Sequence, residues 1–384
     1  MSSFDAAAAR LAGWLFNDAL PLWWSTGADR ECGGFHEALS LEGQPVLVDR
    51  RCRVQARQVY VYATAGRLGW TGPWADATAH GLEYLLTAFA RPDGLLRASV
   101  QPDGSPSDDG AVLYNQAFGL FALAAAAQTA ASDRDALRTR ASRLLEATQA
   151  HFRHDGLGYV EAGDQPFQSN PHMHLLEAAL AWESLDGDAS WATLADQIVE
   201  LCLTRFIDGE SGALREFFDA RWLPAAGLAG RIVEPGHQFE WAWLLERWGR
   251  RRDQAGAAQA ARRLFAIGSG PGVDRSRGVA INAMLDDFTA HDRTARLWPQ
   301  TERVKAAAIL ASTEADAEAA QRLRSEMNDG LAGLLRYFET PVAGLWFDKL
   351  DADDRFVTAE PSPASSMYHI VAALEVLRGA SLGE

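Results

Sequence analysis

Cysteine is scarce in this 384-residue chain: Cys32, Cys52 and Cys202 are the only three, an odd number without pair spacing. A disulfide framework is therefore not expected, and a reducing, cytoplasmic setting fits better. No stretch of about 18 uninterrupted apolar residues occurs, so no membrane span is predicted. The Ala122–Ala127 run is short and has polar flanks. The start, MSSFDAAAAR, lacks the basic and apolar regions of a secretory signal. Positive charge is in deficit too. The formal net charge is −15, which argues against nucleic acid or an anionic membrane as the main partner.

Several catalytic signatures are missing as well. There is no C-x-x-C and no H-E-x-x-H, and His172 and His174, two residues apart, point in different directions on a helix. No metal and no cofactor is predicted. There is no G-x-x-x-x-G-K-[ST] loop, and GSGPGVDRSRG at Gly268 follows no strand. No G-x-S-x-G elbow marks a serine nucleophile.

What is present is a hydrophobic content of 48%, enough for a large core, and a weak internal repeat. A glycine followed by a short apolar run recurs in GGFHEALSL, DGLLRASV, DGLGYVEA, SGALREFF, RGVAINAML and AGLWFDKL. The copies lie about 60 residues apart. Each opens with turn chemistry and continues as a short strand or loop. Between the markers run two helical patterns per unit, such as 75–89 with 111–128 and 191–206 with 236–249. Six units of two helices predict an all-α fold: an (α/α)6 barrel of six helical hairpins with short β-hairpin loops at one end. No linker is evident, so residues 1–384 read as a single catalytic domain. An open α-solenoid is the rival, but the markers match no uniform scaffold consensus.

The helix after each marker carries polar residues in its first turns. They are Arg53, Gln55 and Arg57; Tyr114, Asn115 and Gln116; Asn170, His172, His174 and Glu177; Glu234, His237 and Glu240; Trp298, Gln300 and Glu302; and Ser365, Tyr368 and His369. Singly, each has a structural reading: Asn170 before Pro171 serves as an N-cap, Tyr114 as core, and Glu240 and Glu302 as partners of neighbouring arginines. A buried polar group without a partner costs roughly 1–3 kcal/mol. Six such segments in matching positions therefore read as the lining of a ligand cavity. His237 and His369 stand out, because histidine both takes and gives a proton near neutrality. Glu240, three residues after His237, and Glu177, three after His174, share a helix face with their histidines and are placed to orient them. A glycosidase using Glu177, Glu240 or Glu302 is a rival, although it has no need of the histidines.

With these motifs the chain resembles the N-acylglucosamine 2-epimerase superfamily of sugar epimerases and isomerases. The resemblance rests on RVQARQVYVYA, NPHMHLLEA, EPGHQFEW, LWPQTE and MYHI, in order over nearly the whole chain. It implies a barrel of six α/α hairpins. The wording QARQVY and EPGHQFEW is most similar to the D-mannose isomerase branch, near the sulfoquinovose isomerase branch. Ser365 stands where the latter has glutamine, which makes a sulfonated sugar the weaker expectation. The resemblance implies His237 and His369 as the acid/base pair. It places Arg57, Tyr114, Asn170, His174 and Glu240 around a free sugar; Glu177, Trp298 and Glu302 complete the expected site. Arg57 is expected to stabilise charge on oxygen during catalysis. The expected reaction is metal-independent conversion of D-mannose to D-fructose, or of D-lyxose to D-xylulose, through a cis-enediol. A 2-epimerase and a non-catalytic sugar-binding protein remain alternatives. The expected partner is the small-molecule sugar alone, with no nucleic acid and no membrane, on a monomer or homodimer.

Overall fold

Helices dominate the computed structural model, which describes residues 3–382. Twelve helices of at least 12 residues are present among the described residues. They are α1 (Ser3–Trp14), α2 (Cys52–Arg67), α3 (Trp74–Ala88), α4 (Leu113–Ala127), α5 (Arg134–Phe152), α6 (Ser169–Asp186), α7 (Ala189–Leu201), α8 (Pro235–Arg252), α9 (Ala255–Ser269), α10 (Leu297–Thr313), α11 (Ala317–Leu335) and α12 (Met367–Leu382). The expected helices thus form where the 3.6-residue period placed them. The run predicted to reach Phe206 does so by a π-helical turn, Cys202–Phe206. Among the described residues no helix is long and apolar enough to cross a membrane.

The chain divides into two compact units. One comprises Pro21–Leu201 with Pro363–Tyr368. The other is built from Cys202–Ser362 with α1 and the chain from His369 onward. In the first, the hairpins α2/α3, α4/α5 and α6/α7 pack in sequence, and α2, α4 and α6 lie side by side. In the second, the hairpins are α8/α9 and α10/α11, and α8 lies beside α10.

Burial separates the two helices of each hairpin. Along α5 only one stripe is buried: Leu137, Ala141, Leu144, Leu145, Thr148 and Phe152. That is the spacing of an amphipathic helix with a wet outer face. By contrast, α4 is buried on every side, down to Asn115 and Gln116, and α10 buries Gln300, Glu302, Arg303 and Lys305. Aspartates cap two of the amphipathic members, α5 and α11: Asp133 accepts from Ala136 N and Asp316 from Ala319 N. The buried helices α2, α4, α8 and α10 have no such side-chain cap.

All six glycine markers are turns that precede a buried helix, and each contains a glycine of positive φ. At Gly34 a Cβ would stand 2.3 Å from the Tyr84 ring, so φ and space both demand glycine. A conserved arrangement recurs across the repeats within the chain. The Gln55 amide donates to Phe35 O and accepts from Phe35 N. Gln116 holds Leu96 the same way, Gln238 holds Leu214, and Gln300 holds Ala280. Each bond is 2.8–3.0 Å long. In the third repeat His172 Nε2 accepts from Tyr159 N at 2.9 Å, and in the sixth Ser362 Oγ bonds both Trp346 N and O. These side chains satisfy backbone groups of loops that have too little sheet of their own. Gln55, Gln116, His172 and Gln300, expected among the cavity lining, are therefore clamps between helix and loop. Burial pushes the His172 pKa down to about 4, which suits a neutral ring that accepts at Nε2 and donates from Nδ1 to Gln168 O.

Short β pairs complete the markers. Arg97–Val100 forms an antiparallel hairpin with Pro106–Ala111 and also pairs with Arg50–Arg51. In the other unit Ala283–Leu285 lies between Ile232–Val233 and Ala290–Asp292.

Candidate active site

In the second unit, the first turns of α8 and α10 and the start of α12 bring His237, Trp298, Glu302 and His369 together. His237 Nδ1 is 2.8 Å from Glu216 Oε2 and 3.4 Å from Glu234 Oε2. His369 Nδ1 is 2.8 Å from Glu302 Oε1. The Trp298 ring lies beside both imidazoles, with centroids 5.2 Å from His237 and 5.4 Å from His369. Gly236 makes this approach possible, since a Cβ there would stand 2.3 Å from the Trp298 ring. The glycine of EPGHQ is thus a packing requirement of the site.

The two histidines share one device. A buried carboxylate engages Nδ1, fixes the ring plane and leaves Nε2 on the opposite side of the ring. Their electrostatic settings differ. Burial opposes charge on His237, but the carboxylates of Glu216 and Glu234 outweigh it, and the pKa rises to about 10. Glu234 is itself raised to about 7, by burial acting against the attraction of His237. His237 is accordingly an imidazolium across the neutral range. Glu302 instead bridges two groups: Oε1 meets His369, while Oε2 lies 2.5 Å from Lys305 Nζ. Lys305 also sits 3.9 Å above the Trp243 ring.

Two trios here have ligand-type atoms within 4.8 Å of one another: Glu216, Glu234 and His237, and Glu240, Glu302 and His369. Each acidic cluster already contains a cationic group of the protein, the His237 imidazolium in one and the Lys305 ammonium in the other.

A second cluster lies in the first unit. Arg57 Nη2 donates to Tyr114 Oη at 2.7 Å, and the guanidinium stacks over Phe118 at 4.3 Å and Tyr368 at 5.1 Å. The His174 ring meets Tyr114 edge-on at 4.9 Å. His174 Nδ1 is 3.3 Å from Glu177 Oε2, and the same oxygen accepts the Tyr368 hydroxyl at 2.5 Å. Asn170 contributes a buried Oδ1 with no hydrogen-bond partner. Glu161, raised in pKa by burial, accepts from the backbone N–H groups of Leu113 and Tyr114 and so closes the start of α4.

Sequence reasoning singled out the two histidines and Trp298 but missed two participants, Glu216 and Lys305. The carboxylate on His237 Nδ1 is Glu216, not Glu240, whose influence on that ring is through-space only. Glu216 sits in the SGALREFF marker, 21 residues upstream, where the glycine turn drew attention and the glutamate did not. Glu302 pairs with Lys305 and His369 rather than with an arginine. Lys305 follows at helix spacing from Glu302, a signal too common to single out.

The N-acylglucosamine 2-epimerase family profile matches residues 33–373. A protein of Rhizobium meliloti named mannose-6-phosphate isomerase is 48% identical over 96% of this chain and 95% of its own. A D-mannose isomerase of Thermobifida fusca is 28% identical over 78% of this chain and 76% of its own. Among solved structures, that of a D-mannose isomerase superposes with a TM-score of 0.84 at 20% identity, covering 98% of this chain and 97% of its own. The fold is the all-α (α/α)6 barrel of these enzymes. The chain belongs to the N-acylglucosamine 2-epimerase family, in its mannose isomerase branch, and is a sugar-isomerising enzyme.

Proposed function

We propose that the protein is a metal-independent aldose–ketose isomerase that converts D-mannose to D-fructose on a single catalytic domain. The observation that carries this reading is the pair of carboxylate-backed histidines beside Trp298. Isomerisation needs a base for the C2 proton and an acid for the oxygens, and His369 and His237 offer one of each. The neighbouring carbonyl of the open sugar acidifies C2–H. His369 Nε2 removes that proton, giving a cis-enediol, and after exchange with solvent delivers a proton to C1. His237, already protonated, supplies the proton that ring opening and oxygen exchange require. The Trp298 face is suited to stacking against the sugar. Arg57 is assigned the stabilisation of oxyanion charge. Tyr114, Asn170, His174, Glu177 and Glu240 are assigned to hydroxyl recognition, as the family resemblance implies.

A second substrate, mannose 6-phosphate, is favoured by the name of the Rhizobium relative and by Arg53. That guanidinium lies 5.8 Å from the Tyr114 ring, and no hydrogen bond satisfies it among the described residues. Turnover of mannose and of mannose 6-phosphate in the presence of chelator tests both. Mannose is expected to have the higher kcat/KM, and activity is expected to survive chelation. His237→Ala and His369→Ala are expected to abolish turnover while the circular dichroism spectrum stays native. Retained turnover in either variant would remove the pair assignment. Preference for the phosphate, lost in Arg53→Ala, would establish the second reading.

A further inference from the structure

The mechanism above uses Glu302 to orient His369 but gives no role to the lysine behind it. Lys305 is fully buried on α10, three residues from Glu302, with its ammonium on Glu302 Oε2 and over the Trp243 ring. Burying an ammonium is costly unless it is paired. A fold that needed only a rigid carboxylate under His369 would be served by neutral donors. We infer that Lys305 is a positioning residue of the active site: it balances the charge of Glu302, so that Glu302 fixes the His369 ring without drawing a proton onto it, and His369 is left as the uncharged base.

The two halves of the acid/base pair support this by contrast. His237 faces the carboxylates of Glu216 and Glu234, 2.8 Å and 3.4 Å from its Nδ1, and it carries the compensating positive charge itself. Around His369, the charged and titratable groups within its unit are Glu302 and Lys305 on α10 and Glu240 on α8, whose carboxylate lies within 4.8 Å of both the histidine and Glu302. With Lys305 present, one ammonium offsets one of the two carboxylates. Without it, that offset is lost, and the Glu302–His369 pair takes up a proton at higher pH, wherever in the pair that proton resides. A base that is already protonated cannot abstract the C2 proton.

This inference rests on His369 acting as the base, and its failure is separable from that reading. If His369→Ala retains turnover, the base assignment fails. If His369→Ala is inactive but the outcomes below are not met, only the role of Lys305 fails. In the unaltered protein, ring ¹⁵N shifts assigned with His369→Gln are expected to report a neutral His369 at pH 7, protonated on Nδ1. An imidazolium there would overturn the inference without any lysine variant. In Lys305→Met, the acid limb of kcat/KM for mannose is expected to move up by about one pH unit. At pH 7, kcat is expected to fall about tenfold with KM within about twofold, and Lys305→Arg to restore most of it. A purely structural counter-charge would leave the acid limb in place in the folded variant, and that result would equally overturn the inference.

Discussion

His237 and His369 are each held at Nδ1 by a carboxylate 2.8 Å away, and at His237 two carboxylates, Glu216 and Glu234, outweigh burial and hold a proton on the ring. Glu216 is the group that decides this. Replacing it with glutamine keeps the shape and a hydrogen-bonding oxygen but removes the charge. The His237 pKa, raised to about 10 by Glu216 and Glu234 against burial, is then expected to fall. In Glu216→Gln the alkaline limb of kcat/KM should move down in pH, so the loss of activity at pH 9 exceeds that at pH 6.5. A limb that stays at the wild-type position would show that His237 does not act as the acid. The sign for stability follows from the same shift. The folded pKa lies above the unfolded one, so the imidazolium stabilises the fold fully below about pH 6.5 and its contribution is lost as pH rises through about 10. Residue identities told part of this in advance: His237 and His369 stood out as groups that take and give a proton near neutrality. What they could not tell was the partner. Glu216 is distant in sequence and approaches only because its loop is clamped against α8 through Gln238 and Leu214.

At the scale of the element, the recurring side-chain clamp explains how such short loops keep their shape. Each glutamine satisfies one N–H and one C=O that would otherwise be buried without partners. Gln55→Ala is expected to destabilise the protein by about 2–6 kcal/mol, since two buried backbone groups lose their partners at roughly 1–3 kcal/mol each. Urea denaturation measures this, and an unchanged midpoint would show that water replaces the amide. The helices and the six glycine markers were legible because both obey a period. The function of the polar residues in the buried helices was legible only as a set. Polar text in a buried helix looks the same whether it faces a ligand or a loop backbone. Thus His172 and His174, two residues apart, divide: the first bonds Tyr159 N, and the second meets Tyr114, Phe118 and Glu177. Their opposed directions were readable from helix geometry, but which one faced the loop was not.

At the scale of the whole molecule, the repeat delivers one buried helix after another, each starting next to a marker loop, and chemistry is placed at those starts. The (α/α)6 barrel hosts glycan hydrolases as well as isomerases. A solved α-1,6-mannanase superposes with a TM-score of 0.68 at 14% identity, so fold alone does not select the reaction. In the proposed mechanism, selection comes from the carboxylate-backed histidines. The measurement that tests this most directly is proton NMR of D-mannose incubated with the protein in heavy water with chelator. The account predicts D-fructose carrying deuterium at C1. Deuterated glucose as the sole product would make the enzyme a 2-epimerase, and mannose and its phosphate both left unlabelled would contradict proton transfer at this site altogether.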